Sequence, residues 1–599
     1  MMVWLFGKVD YGRYGAGLQM NSPDYEIIDS KGSVSIHTGR IVPIYKQIRN
    51  TSSKMMRRII FNALFEKKVK IPEILPSSII RKRELMDRSD AFKRLHFPMN
   101  DSDMGQLASR RSPMHYRLIY EEFILIQSAL YLIRSKRKIA QGIRFNIDAK
   151  LKEEIYSLPP FDLTAAQRKV IKEILNDMTA TYPMNRLLQG DVGSGKTIVA
   201  LLACFAAVRC GYQAAVMAPT EILAEQHYRT AKEIFKGKKT RILLLTSNKV
   251  KERGKEIHSA ILNGEVELVI GTHALIQEKV KFKNLGFAVI DEQHRFGVQQ
   301  RRTLMTGKLR PDTLVMTATP IPRSLAMTAL GNLEISIIDR LPSGRKPVET
   351  ILTTDRKRDE IYDFIRAQMD KGNQVYVVYP VIESSEKTDL RAAKEMAKHL
   401  TNDAFPEYRV ALLHGRMSGE EKEKVMAEVK SGDIKLLVTT TVIEVGIDVP
   451  NATVMLIEHS ERFGLSQLHQ LRGRIGRGKS KGYCILMINP PGTNDPDTMK
   501  LTEAAKERLK VMRDSNDGFV IAQKDLEIRG PGEFFGKRQS GMPRFRIADI
   551  TKDWEILLEA YNDANWYFNL PDIEKSPDYK KYIQILREWW KTDGPKISS

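Results

Sequence analysis

Eight consecutive residues, Gly190-Asp191-Val192-Gly193-Ser194-Gly195-Lys196-Thr197, have the types and spacing needed to grip a chain of phosphates. Glycines at 190, 193 and 195, with Ser194 between them, let successive backbone N–H groups converge on phosphate oxygens. A helix opening at once after such a turn adds the positive end of its dipole. Lys196 is expected to reach the β- and γ-phosphates of a bound ATP, and the Thr197 hydroxyl to bind Mg²⁺. A chance glycine-rich turn could carry the same letters. Here an apolar strand pattern precedes the turn and an apolar helical run, 197–210, follows it, which is the context the chemistry requires.

Phosphate transfer also needs carboxylates. The run Ala288-Val289-Ile290-Asp291-Glu292 reads as a buried strand ending in two of them. Asp291 is expected to hold Mg²⁺ through water and Glu292 to orient the attacking water. A third group lies in Gln467-Leu468-His469-Gln470-Leu471-Arg472-Gly473-Arg474-Ile475-Gly476-Arg477-Gly478. Arg474 and Arg477, three apart, share one face of a helix. Either guanidinium could neutralise charge building on the transferred phosphate. A basic, solvated helix end is the plainer reading. Against it, glycines at 473 and 476 cost helix propensity and call for a reason, such as close approach to a ligand.

The elements that must position these residues follow from periodicity. Between 161 and 339, apolar runs at 186–189, 214–219, 241–245, 268–271, 287–291 and 314–317 alternate with helical stretches. Runs so rich in Val, Ile and Leu are buried on both faces, hence a parallel sheet. A linker-like Leu341-Pro342-Ser343-Gly344-Arg345 precedes a second series with strands at 375–379, 410–414, 435–438, 454–458 and 483–488. The fold class is therefore α/β, with two tandem P-loop-type lobes and a cleft between them. Short β runs at 3–9, 17–20 and 33–41, with a turn at 12–15, suit part of a small barrel. From 52 to 138 the period is helical, with one long helix over 115–138. Beyond 498 the pattern is again helical, at 502–513 for instance, apart from a glycine-rich irregular stretch at 517–541.

Composition sets outer bounds. A chain of 599 residues exceeds a single core, and two to four domains are expected. The net charge of +22 favours a polyanionic partner, nucleic acid before membrane. Three cysteines without a CxxC pair argue against a zinc site or a disulfide framework and fit a reducing cytosol. No apolar run is long enough to span a bilayer.

Taken together, Gly190–Thr197, Asp291-Glu292-Gln293-His294, Thr317-Ala318-Thr319 and 470–477 resemble the motor motifs of superfamily-2 helicases. More specific words resemble the RecG family of branched-DNA helicases: 291–298 (DEQHRFGV), 317–323 (TATPIPR), 444–450 (EVGIDVP), 461–468 (ERFGLSQL) and 525–536 (DLEIRGPGEFFG), with Arg538-Gln539-Ser540-Gly541 after it. Some are shared with the transcription-repair coupling factor. The resemblance reaches nearly the whole chain.

It implies ATP-driven translocation on branched double-stranded DNA (replication forks and Holliday junctions) in recombination and repair. It further implies a monomer in the bacterial cytoplasm, associated with the nucleoid, with single-stranded DNA-binding protein as a further partner. It assigns Gln167 to the adenine base, and Gly446 and Asp448 to the nucleotide from the second lobe. Thr220 and Thr272 fall to DNA phosphates, Thr317 and Thr319 to the link between ATP state and DNA grip, and Arg477 to the arginine finger. Arg529 and Gln539 fall to coupling of hydrolysis to translocation. Expected divisions are a partial OB-like wedge (1–50), a helical linker (51–155), lobe 1 (156–340), lobe 2 (341–495) and a helical hairpin with the translocation motif and C-terminal helices (496–599). The wedge is expected to hold only the latter part of the family's barrel, with Trp4, Phe6, Tyr11 and Tyr14 free to stack on unpaired bases or simply to form core. A DNA-binding module with a dead motor and a protein-translocating ATPase are the competing readings.

Overall fold

Short apolar runs, each followed by a helix, have one economical solution, a parallel sheet covered on both faces, and the chain forms it twice. The computed structural model describes residues 2–11, 17–20, 22–28, 36–45, 51–67, 69–99, 102–137, 141–277, 279–292, 310–317, 333–340, 342, 346–380, 386–440, 449, 451–476, 478, 480–488, 501–534 and 545–592. The chain divides into two units. One comprises 1–132, 327–329 and 538–599; the other comprises 133–326 and 330–537.

In the first unit, β1 (Met2–Phe6) pairs antiparallel with β4 (Asp24–Ile28), and β2 (Val9–Tyr11) with β3 (Leu18–Met20). Among the described residues 36–41, where a further strand was expected, none forms. The Glu26 carboxylate instead accepts the backbone N–H groups of Ile36, His37 and Thr38 at 3.0, 2.9 and 3.0 Å. Those donors are thereby lost to a ladder. Two-stranded ribbons enclose no core, and Phe6 and Tyr11 are 73% and 85% exposed. Tyr14 lies outside the described residues.

Residues 113–132 of the helix Pro113–Arg137 contribute to this unit's main core. Its Ile119, Phe123 and Ile124 pack with Leu557, Tyr567, Tyr582 and Leu586 of the helices Trp554–Phe568 and Pro577–Thr592. The stretch expected as one segment, 496–599, is thus divided, because the last two helices bury their apolar faces in the first unit. Asp563, 1% exposed, accepts from Tyr120 at 2.7 Å and pairs with Lys82 and Arg83 at 2.8 and 2.5 Å.

In the second unit, lobe 1 carries β5 (Asn185–Gly190), β6 (Gln213–Met217), β7 (Ile242–Leu245), β8 (Leu268–Gly271), β9 (Leu285–Asp291), β10 (Asp312–Thr317) and β11 (Glu334–Ile338). Their order is β11-β5-β10-β9-β6-β8-β7, parallel throughout. Lobe 2 carries β12 (Glu349–Thr354), β13 (Gln374–Val378), β14 (Val410–Leu413), β15 (Leu436–Thr439), β16 (Ala452–Ile457) and β17 (Tyr483–Ile488). Their order is β12-β17-β16-β13-β15-β14, again parallel. Lobe 2 also holds a helical hairpin, Glu503–Asp514 and Gly518–Phe534, whose Leu509, Met512 and Ile521 join its core. The glycine-rich stretch expected to be irregular from 517 is therefore helical to 534. Ile521, Ala522, Asp525 and Leu526 recur on one buried face, and packing of that face outweighs the low helix propensity of the glycines. Among the described residues no helix is long and apolar enough to cross a membrane.

Candidate active site

Parallel sheets gather their loops at the carboxyl ends of the strands, and the chemistry-bearing residues of lobe 1 lie there. β5 ends at Gly190, and the helix Lys196–Arg209 starts where the phosphate-gripping turn ends. Gly193 and Gly195 have φ of +79° and +88°, which side chains rarely adopt, and a Cβ at 195 would collide with the Gln167 amide. Gln167 caps its own helix, its Oε1 accepting the Thr164 N–H at 2.9 Å, while its Nε2–H donates to the Ser194 carbonyl at 2.9 Å. Its amide thus braces the turn itself. Lys196 donates through Nζ to the Gly190 and Asp191 carbonyls at 2.7 and 2.9 Å. Burial holds its pKa below the usual lysine value. The charges of Glu292, Asp291 and Asp191 oppose that effect and Arg474 adds to it. Those four side chains therefore share one electrostatic neighbourhood with the lysine.

β9 delivers Asp291 to the same edge, separated from β5 only by β10. One carboxylate oxygen meets His227 Nε2 at 2.9 Å, from the helix Glu221–Ile234; the other accepts the N–H of Glu292 at 3.1 Å. Glu292 has φ of +52°, a strained backbone for a side-chain-bearing residue and one typical of functional turns.

Lobe 2 reaches this site through the helix Leu465–Arg472. His469 Nε2 lies 2.6 Å from Asp191 Oδ1, in the phosphate turn of the other lobe. Burial would raise the Asp191 pKa, but the hydrogen bonds from His469 and the Val192 N–H, with the Lys196 charge, hold it below the usual carboxylate range. Arg472 is buried; it donates to His469 Nδ1 at 3.1 Å, to Thr350 Oγ1 at 3.2 Å, and to the carbonyls of Met512 and Ser515 at 2.7 and 2.8 Å. A Cβ at Gly473 would sit 2.6 Å from that of Val192, and Gly476 has φ of +66°. The demand these two glycines raised is met by close approach of the lobes at 473 and by backbone conformation at 476.

The remaining expected residues are placed as follows. Thr220 caps the helix Glu221–Ile234, accepting the Leu223 N–H at 3.4 Å. Thr272, just past β8, is buried, and its hydroxyl has no hydrogen-bond partner among the described residues. Thr317 ends β10 and is buried. Arg529 bonds Asp525 at 2.9 Å, and Asp525 accepts from Ser466 at 2.7 Å, tying the hairpin to the helix Leu465–Arg472. Arg477, Gly446, Asp448, Thr319 and Gln539 lie outside the described residues, as do Gln293 and His294.

Residues 164–328 match the DEAD/DEAH box helicase family, 356–479 the helicase conserved C-terminal domain, and 515–594 the C-terminal part of domain 3 of the ATP-dependent DNA helicase RecG. The ATP-dependent DNA helicase RecG of Synechocystis is 44% identical over 97% of this chain and 68% of its own length. That of Thermotoga maritima is 44% identical over 97% of this chain and 72% of its own length. The chain belongs to the RecG family of ATP-dependent DNA helicases. A solved RecG bound to a three-way DNA junction superposes with a TM-score of 0.63 at 41% identity, covering 92% of this chain and 70% of that one.

Within this RecG-family site, four residues carry contacts that sequence reasoning left unassigned: Asp191, His227, His469 and Arg472. Asp191, His469 and Arg472 sit inside motifs already singled out. His227 lies one face along the helix that Thr220 caps, and nothing in its spacing marks it.

Proposed function

We propose that this chain couples ATP hydrolysis to translocation on branched double-stranded DNA, driving fork regression and Holliday junction migration in recombination and repair. The observation that carries this reading is the meeting of both lobes at one phosphate turn: Lys196, Asp291 and Glu292 from the first, Arg474 and His469 from the second. Such a site is assembled by lobe closure, which is how a two-lobe motor ties hydrolysis to movement on its track. The likeness to a RecG bound to a three-way junction supports a branched substrate.

In this reading the backbone N–H groups of 190–195 and Lys196 hold the phosphates, and Glu292 orients the attacking water. Arg474, with Arg477 beside it in sequence, neutralises the developing charge, and Gln167, Gly446 and Asp448 contact the nucleotide. Mg²⁺ fits the donors present. Thr197 lies in the first turn of the helix, and among the described residues Asp291 Oδ1 accepts the N–H of the following residue, leaving lone pairs for a metal-bound water. When bound, Mg²⁺ supplies charge neutralisation across the phosphates. Thr220, Thr272, Thr317 and Thr319 contact or sense the DNA. The enzyme works as a monomer in the cytoplasm at the nucleoid, with single-stranded DNA-binding protein as a partner.

The test is Mg²⁺-dependent ATPase activity in the presence of forked DNA, plain single strands or an unfolded preprotein. Stimulation by forks above the other two, abolished by EDTA, is expected. Stimulation by the preprotein would favour protein translocation. Fork binding without hydrolysis would mean a dead motor.

A further inference from the structure

We propose that His469 is an interlobe positioning residue for hydrolysis, holding the phosphate turn of lobe 1 through Asp191 and thereby setting where Arg474 meets the transferred phosphate. The proposal rests on the ATPase reading above and adds a residue to it.

Three features of the geometry support it. The first is the fixed proton. Arg472 can only donate, so His469 Nδ1 accepts, and the imidazole proton sits on Nε2, aimed at Asp191 at 2.6 Å. Arg472 is in turn held by the carbonyls of Met512 and Ser515, so the tautomer is set by buried backbone and not by solvent. The second is what Asp191 holds. Its carboxylate also accepts the Val192 N–H at 2.6 Å, and its backbone carbonyl receives Lys196 Nζ at 2.9 Å. A pull on this one side chain moves the turn and the resting position of the lysine together. The third is the rigidity of the lever. Leu465, Leu468 and Leu471 anchor the His469 helix in the core of lobe 2, and Arg474 follows directly, its N–H bonded to the Leu471 carbonyl at 2.9 Å. The bare Gly473 beside Val192 lets the two backbones approach closely enough for the contact. Fixing His469 against Asp191 therefore fixes the approach of Arg474 to the phosphates.

A residue that only packs lobe 2 would behave differently from one that spans the lobes, and a double-mutant cycle separates them. Fork-stimulated kcat, KM for ATP and affinity for a non-hydrolysable ATP analogue are measured on the full chain carrying H469A, D191A or both. Each single change is expected to lower kcat about tenfold or more, the usual size of loss when a catalytic group is misplaced. For H469A, which lies outside the phosphate turn, analogue affinity should stay within about threefold. The double variant should be no worse than the poorer single, since both remove one interaction. H469Q, whose Nε2–H occupies the same place, should recover most of the kcat. Multiplying losses, or an H469Q as slow as H469A, overturn the proposal. Where H469A fails to fold, H469N, whose shorter amide does not reach Asp191, takes its place in the cycle and is scored by the same coupling. A wild-type chain with no fork-stimulated ATPase would instead overturn the functional reading.

Discussion

Lys196 is a cation held where burial disfavours its charge, balanced by carboxylates at the ends of two strands. That arrangement suits a group whose proper partner is a phosphate. Lys196→Ala should therefore cut ATPase activity by about 10²-fold or more, as loss of one preorganised electrostatic stabiliser does. Near-normal steady-state hydrolysis by the folded variant would remove the phosphate turn from the mechanism. Asp312, at the start of β10, offers a test of a different kind. Burial pushes its carboxyl up to about 8, with the Met184 N–H at 2.7 Å opposing this. The folded chain thus keeps a proton that the unfolded chain releases near pH 4. The associated stability is full below that and declines as pH rises toward 8. Asp312→Asn keeps an acceptor for Met184 and cannot ionise. Its thermal midpoint minus that of the wild type should grow from pH 5 to pH 8, and a difference flat with pH would show that Asp312 is ionised throughout. Residues of this kind differ in legibility. The lysine, the glycines and Asp291 announce themselves because phosphate chemistry demands those types at that spacing. His227, His469 and Asp312 do not, because their roles depend on partners distant in sequence.

At the scale of elements, strands buried on both faces were readable as apolar runs, and each of them formed. Three were not foreseen, β4, β11 and β12, and the last two are edge strands of the lobe sheets. Both carry Glu, Ser or Thr among their apolar residues, which breaks the continuous run; the other edge strands, β7 and β14, are purely apolar and were readable. The helix Gly518–Phe534 hid for a different reason, since local glycine content pointed away from the tertiary burial that decides its form. Its being a helix bears on coupling. Arg529 lies on it one turn after Asp525, whose other oxygen holds Ser466 on the helix that carries His469. A Cβ at Gly464 would strike the Arg529 guanidinium, so the two elements are closely seated. The hairpin is thus a continuation of the lobe-2 face that meets the phosphate turn. Arg529→Ala should leave DNA binding and most fork-stimulated hydrolysis in place while abolishing fork unwinding, with Gln539→Ala doing the same. Parallel rates decide it. Unwinding that falls only in proportion to hydrolysis would show that the hairpin does not couple the two.

At the scale of the whole chain, the division into units separates the hydrolytic site from the segment whose last helices return to its beginning. The return could not be read from sequence, because residues 538–599 show a helical period but not the surface that completes it. Asp563 is what the closure depends on. It is nearly inaccessible, yet Arg83, Lys82 and Tyr120 all bond it, and together they hold its pKa below the ordinary value against the opposing effect of burial. Arg83 and Lys82 come from residues hundreds of positions earlier, so this carboxylate ties the two ends of the chain. Removing one member of a buried ionic cluster leaves the others uncompensated, at a cost of about 3 kcal/mol. Asp563→Ala should lower the melting of the first unit. Since none of the residues that build the phosphate turn belongs to that unit, DNA-independent ATPase should stay within about twofold of the wild type at temperatures below the transition. Differential scanning calorimetry, with hydrolysis measured at each temperature, reads both effects on one sample. Loss of basal hydrolysis in step with the first transition would mean that the motor's two lobes depend on the first unit for their fold, and that the units are not thermodynamically separable.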